Sequence, residues 1–117
     1  MKGICLLCMT LCGLVDTWAQ TGVKQKHALL VGISSYRNLP ALPGAKNDVA
    51  NIKDLLVKKM GFPAQQIVVL EDKAATRAAI LDQIEQLINR VHKNDTAVFH
   101  FSGHGSQPKG KSAYLLP

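Results

Sequence analysis

What most constrains this chain is an alternation. Three short apolar runs are separated by two stretches with apolar residues at helical spacing. The runs are His27-Ala28-Leu29-Leu30-Val31-Gly32-Ile33, Gln66-Ile67-Val68-Val69-Leu70 and Thr96-Ala97-Val98-Phe99-His100-Phe101. The first lacks strict polar alternation, which suits a strand covered on both faces, as in a parallel sheet. A loop from Tyr36 to Pro43, punctuated by Pro40, follows it. Val49, Ile52, Leu55 and Leu56 then predict a helix from Asn47 to Met60, ended by Gly61-Phe62-Pro63 in the expected order of Gly then Pro. Thr76 is placed to cap a second helix with apolar positions Ile80, Leu81, Ile84, Leu87, Ile88 and Val91, and Lys93-Asn94-Asp95 turns the chain out of it. Strand, helix, strand, helix, strand with short connections implies right-handed crossovers. The expected fold class is therefore α/β, a parallel sheet with helices on both faces. After the third run come a polar turn, Lys109-Gly110-Lys111, and a new apolar run, Ala113-Tyr114-Leu115-Leu116, which Pro117 cuts off. The expectation is a truncated βαβαβ portion of such a sheet.

Length and composition fit one globular domain, with 117 residues of which 47% are apolar. The net charge of +6 favours acidic partners, but the longest basic run is Lys58-Lys59 and only 5% of residues are aromatic. That scatter reads as a solvated surface, and no nucleic-acid partner is expected. At the N-terminus Lys2, the apolar run Gly3 to Val15 and the small residues Thr17 and Ala19 read as a signal peptide over residues 1–19. The apolar run is shorter than the roughly 20 residues that span a bilayer. A secreted or periplasmic protein with no stable membrane span after cleavage is the expectation. Residues 20–26 form a polar lead-in, and 27–117 hold the folded domain. All three cysteines, Cys5, Cys8 and Cys12, lie in the leader, so the remainder has no disulfide, thiolate metal site or cysteine nucleophile of its own.

The candidate chemistry lies at a strand end. In open parallel sheets ligands bind beyond the carboxyl ends of the strands, and His104 stands there between Gly103 and Gly105. Flanking glycines let backbone approach a substrate, and an imidazole suits proton transfer near neutral pH. A phosphate loop would need a Lys followed by Ser or Thr after the glycines, which Ser102 to Gln107 lacks. His27, His92 and His100 show no paired zinc spacing, and His100, inside the third run, is expected to be a satisfied core residue.

Phe99-His100-Phe101-Ser102-Gly103-His104-Gly105-Ser106 resembles the strand and catalytic-histidine loop of the metacaspases and related caspase-like cysteine peptidases. The likeness extends along the chain. His27 to Ile33 with Tyr36 resembles the family's first strand, and Leu42-Pro43-Gly44-Ala45-Lys46-Asn47-Asp48-Val49 resembles its Leu-x-Gly-Cys-x-Asn-Asp-Ala segment. Ala75-Thr76 to Ile80 resembles the start of its second helix, and Tyr114-Leu115-Leu116-Pro117 the strand after the histidine. The resemblance implies a caspase-like catalytic domain, of which 27–117 is the N-terminal portion. It also implies hydrolysis of peptide bonds in a peptide or protein substrate by a Cys-His dyad. In that scheme His104 is the general acid/base, the Gly105 N–H is half of the oxyanion hole, and Asp48 lies in a pocket that selects Arg or Lys. Local chemistry agrees for Asp48, a carboxylate at the start of a helix beyond a strand end, although plain helix capping would also place it there.

Two departures accompany the likeness. The family's cysteine beside the Asn-Asp pair is Ala45 here, and the family's Asp-x-Cys-His-x-Gly motif, with its nucleophile, falls past Pro117. The family's calcium-binding carboxylates, where present, fall there too. No metal site or cofactor is evident in the residues themselves, and the resemblance leaves calcium dependence open. The expected function is thus a cysteine-type endopeptidase whose nucleophile lies beyond these residues. A catalytically inactive caspase-like module that binds peptides or partners is the alternative, and an unrelated α/β binding domain with a chance His-Gly loop is the third reading.

Overall fold

The computed structural model describes residues 22–117. The leader expected over residues 1–19 lies outside the described residues. Five strands and two helices follow in the order β1 (Lys26–Gly32), α1 (Gly44–Lys58), β2 (Ile67–Glu71), α2 (Arg77–Arg90), β3 (Thr96–Ser102), β4 (Gly105–Ser106) and β5 (Tyr114–Leu115). Single 3-10 turns, Ala64–Gln66 and Asp72–Ala74, flank β2. The first three strands form a parallel sheet in the order β2-β1-β3, with Leu30 opposite Val69 on one side and His100 on the other. No helix among the described residues is long and apolar enough to cross a membrane.

β1 is central because it is the one run that tolerates burial on both faces. Ala28, Leu29, Leu30, Val31 and Ile33 are each at most 2% exposed. Alternate side chains divide between two cores. Ala28 and Leu30 pack with Val49 and Leu56 of α1, Phe62 and Ile67, whereas Leu29, Val31 and Ile33 pack with Ile80 of α2 and with Ala75, just before that helix. The helices therefore cover opposite faces. Handedness explains this: the step from β1 to β2 runs one way across the sheet and the step from β2 to β3 runs back, so right-handed crossovers place successive helices on opposite sides.

α1 begins at Gly44, three residues before the expected Asn47, and ends at Lys58. Pro43 carries φ −61 and ψ −24, already helical, and Ala45 N–H donates to Leu42 O at 3.1 Å, so the helix starts from the proline without a side-chain cap. Asp48 is thus the fifth residue of α1 and caps nothing, which removes the capping reading. Thr76 does cap α2 as its spacing predicts, accepting from Ala79 N–H at 3.1 Å. On α2 Ile80 is buried and Ile84 and Leu87 pack against the core, but Leu81 and Ile88 stay exposed. β3 pairs with β1 alone among the described residues, and Phe99 is 45% exposed at that edge. His100 is only partly buried, and its Nε2 has no hydrogen-bond partner among the described residues, so it is not the satisfied core residue expected. Gly105–Ser106 pairs antiparallel with Tyr114–Leu115, a hairpin too short for periodicity to reveal.

Gly32 marks a close approach of β1 to α1. A Cβ there would lie 2.6 Å from Val49 Cγ2 and 3.1 Å from Ala45 O. Gly32→Ala is expected to destabilise the fold by about 1–3 kcal/mol through overpacking. Gly44→Ala, where nothing lies within 4 Å, is expected to be neutral or mildly stabilising because it removes a flexible residue from a helix end. Urea midpoints of the two variants against the parent chain check the contrast.

Candidate functional site

The order β2-β1-β3 makes the gap between β1 and β3 the point where the crossover direction reverses. At such a point the loops leaving the two carboxyl ends diverge and open a crevice. Two segments meet there, the loop from Ser34 to Pro43 after β1 and Gly103-His104 after β3. Ile33 N–H donates to Ser102 O at 2.9 Å, which extends the β1-β3 pairing to the mouth of the crevice.

His104 is half-buried and gripped by the first loop. Its Nε2 lies 2.8 Å from Pro40 O. A carbonyl oxygen only accepts, so Nε2 carries the proton in this contact and Nδ1 is left with the lone pair. The Tyr36 ring meets the imidazole edge-on, with centroids 4.7 Å apart and planes at 64°. The backbone is held as well. His104 N–H donates to Tyr36 Oη at 2.8 Å, Tyr36 O–H donates to Leu116 O at 3.0 Å, and Leu116 N–H donates to His104 O at 2.9 Å.

Asp48 is exposed on α1, and its carboxylate accepts from Ser102 Oγ at 2.8 Å. Asp48 thus reaches the end of β3, two residues before His104 in the chain. Gly105 is exposed at the start of β4. Its partner in the hairpin is Leu115, and the neighbouring pair His104-Leu116 is the hydrogen-bonded one, so the alternation of an antiparallel ladder turns the Gly105 N–H away from β5. Ala45, which the resemblance sets where the family has a cysteine, is 3% exposed against the sheet.

The loop after β1 is tied down by a carboxylate from β2's end. Asp72 Oδ1 accepts from Ser34 N–H at 2.8 Å and from Ser35 N–H at 3.0 Å, and its Oδ2 lies 3.3 Å from Lys46 Nζ. Asp72 adopts φ +45, a left-handed conformation that Asp tolerates better than most residues. Ser34 closes the loop from inside. Its carbonyl accepts from Leu42 N–H at 2.8 Å, and its hydroxyl oxygen accepts from Lys46 N–H at 3.3 Å. Sequence reasoning passes over Asp72, Ser34, Ser102 and the roles of Tyr36 and Pro40. The rule that singles out His104, a polar residue at a strand's carboxyl end, applies equally to Ser34, Asp72 and Ser102. A backbone acceptor such as Pro40 O leaves no such trace.

The N–H groups of Ser35 and then Ser34 hold the Asp72 carboxyl below its ordinary pKa, with Lys46 acting in the same direction and partial desolvation against it. A depressed carboxyl contributes stability that is complete above its unfolded value, near 4, and is lost as pH falls through the lower folded value. Asp72→Asn is therefore expected to be less stable than the parent at neutral pH, with the gap closing below about pH 4. Urea midpoints of both proteins across that range test this. A gap that does not change with pH would show that the carboxylate's charge is not what ties the loop.

The family model described as metacaspase, peptidase C14 domain, matches residues 26–114. Metacaspase-1 of Schizosaccharomyces pombe is 34% identical over 91 residues, covering 73% of this chain and 21% of the relative. Metacaspase-1 of Cryptococcus neoformans var. neoformans serotype D is 37% identical over 89 residues, covering 71% and 20%, and Metacaspase-1A of Aspergillus oryzae is 36% identical over 95 residues, covering 76% and 22%. The chain spans about a fifth of the length of the curated relatives it matches. With its parallel sheet covered by helices on both faces as an N-terminal part of the caspase-like α/β fold, the chain belongs to the metacaspase family of cysteine peptidases.

Proposed function

We propose that these residues carry the histidine half of a Cys-His endopeptidase site that cuts after Arg or Lys, with the cysteine supplied by polypeptide beyond Pro117. The observation that carries this reading is the 2.8 Å contact from His104 Nε2 to Pro40 O. It supports the reading because a neutral ring whose Nε2 donates to Pro40 O keeps its lone pair on Nδ1, the nitrogen proposed to meet the thiol. In the proposed reaction Nδ1 takes the thiol proton as sulfur attacks the scissile carbonyl carbon. The carbonyl's electron pair moves onto oxygen, where the outward Gly105 N–H donates to it. Collapse of this intermediate breaks the C–N bond, and the Nδ1 proton passes to the departing amine. Water, deprotonated by the same nitrogen, then hydrolyses the thioester to release the carboxylate product and restore the thiol.

Asp48 is the proposed partner of the cationic side chain before the cut. Its carboxylate is exposed at the crevice, and the Ser102 hydroxyl takes up only part of its accepting capacity. A guanidinium or ammonium can occupy the rest through charge-assisted hydrogen bonds. Export is also proposed, on residues 1–19 alone, and N-terminal sequencing of the secreted protein should then begin at Gln20.

The test uses the protein extended through the segment that follows residue 117, assayed with peptide libraries. His104→Ala is expected to lower kcat/KM by about 10²–10⁴-fold. Asp48→Ala is expected to reduce the preference for Arg or Lys over apolar residues by roughly 10–100-fold. Residues 20–117 alone, which hold no cysteine, are expected to hydrolyse nothing. Undiminished activity in His104→Ala, or turnover by residues 20–117, overturns the dyad. An extended protein that binds peptides without cutting them would favour the inactive, partner-binding module.

A further inference from the structure

The hydroxyl of Tyr36 occupies a place in the β4-β5 hairpin that backbone would otherwise fill. The hairpin pairs Gly105 with Leu115 and Ser106 with Tyr114, and the same register continued one step sets His104 opposite Leu116. Residues paired through hydrogen bonds in an antiparallel ladder exchange two N–H···O bonds. Here one is direct, from Leu116 N–H to His104 O at 2.9 Å. The other is interrupted. His104 N–H donates to Tyr36 Oη, and Tyr36 O–H donates onward to Leu116 O. One hydroxyl thereby spends its single proton and one lone pair in bridging two strands.

The surroundings are fitted to that insertion. A Cβ on Gly103 would lie 2.5 Å from Tyr36 Oη and 2.9 Å from the Phe101 ring, so glycine at 103 is what admits the hydroxyl. Tyr36 and Pro40 belong to one loop, and between them they hold both the backbone N–H and the imidazole Nε2 of His104. Without the hydroxyl, His104 N–H and Leu116 O lose a common partner. The backbone of His104 itself, with glycine on either side, is then held by one hydrogen bond alone, from Leu116 N–H to its carbonyl.

We propose that Tyr36 is a positioning residue for His104, acting as a hydroxyl wedge that sets the height of the imidazole and so keeps its Nε2 on Pro40 O. The proposal rests on reading His104 as the general base. Reactive geometry is sensitive to displacements of about 1 Å, so loosening this root is expected to lower turnover more than substrate binding.

The experiment is Tyr36→Phe, which keeps the ring and removes only the oxygen. In the full 117-residue chain, labelled with ¹⁵N, the His104 amide is expected to lose protection from hydrogen exchange by on the order of tenfold. The His104 ring nitrogens are expected to shift from a single tautomer with Nε2 protonated to a mixture, while amides of β1 stay unchanged. Gly103→Ala, which crowds the hydroxyl out, is expected to reproduce both signatures and decides the matter should Tyr36→Phe lose its fold. In the extended, cysteine-bearing protein, Tyr36→Phe is expected to lower kcat by about 10–100-fold with KM nearly unchanged. Unaltered His104 amide exchange and ring tautomer in the folded variant would overturn the proposal. The His104→Ala assay fails independently if the peptidase reading is wrong, and the ring and amide measurements still decide the role of Tyr36.

Discussion

Burial of β1 on both faces is the constraint on which everything else in this molecule depends. Only an apolar strand can sit between two helical layers, and the fully buried Leu29, Leu30 and Val31 meet that requirement. Once β1 is central, β2 and β3 must flank it, and chain handedness sends α1 and α2 to opposite faces. The same arrangement makes Gly32 necessary. A strand covered this closely leaves no room for a side chain where α1 crosses it, and Val49 fills the space. Central placement of β1 also fixes the crevice between β1 and β3, so the location of the candidate site follows from core packing before any polar residue is considered.

Two aspartates show how the two ends of the sheet differ. At the amino end Asp95 accepts from Gln25 N–H at 2.8 Å and from His92 N–H at 2.9 Å, joining the start of β3 to the segment before β1. At the carboxyl end Asp72 does the same for Ser34 and Ser35. Backbone donors hold both carboxyls below their ordinary pKa, Gln25 and then His92 in the case of Asp95. The backbone chemistry is alike, yet the consequences are not. Asp95 closes a sheet end with structure alone, whereas Asp72 stiffens a loop whose far side presents Tyr36 and Pro40 to His104. Rigidity thus passes outward in steps, from β2's end to the loop, and from the loop to the imidazole.

What the amino-acid order discloses about this fold is what has a period or a motif. The three parallel strands, both helices and the Thr76 cap follow from apolar spacing and capping chemistry, and His104 stands out through its glycines and its place after a strand. The start of α1 is misjudged because Pro43 begins the helix by its own fixed φ, a device with no hydrophobic signature. The β4-β5 hairpin is hidden because two residues per strand cannot display alternation. Asp48 is found through a resemblance, but its partner Ser102 emerges only when α1 and β3 are set side by side. Pro40 O and the hydroxyl bridge of Tyr36 depend on backbone positions that no residue type encodes.

The two glycines around His104 illustrate the difference between a residue the fold requires and one it merely permits. At Gly103 a side chain would collide with the Tyr36 hydroxyl and the Phe101 ring, so packing within the described residues accounts for it fully. At Gly105 a Cβ would meet Tyr114 O at 3.5 Å, an ordinary contact, and no positive φ demands glycine. Neither strain nor crowding explains it. What glycine leaves at that position is an exposed residue without a side chain, its N–H directed away from β5. That orientation is what the proposed oxyanion role asks of the residue, and the hairpin's own pairing does not use it. Gly103 belongs to the support of His104, whereas Gly105 is left free for the oxyanion role proposed for its N–H.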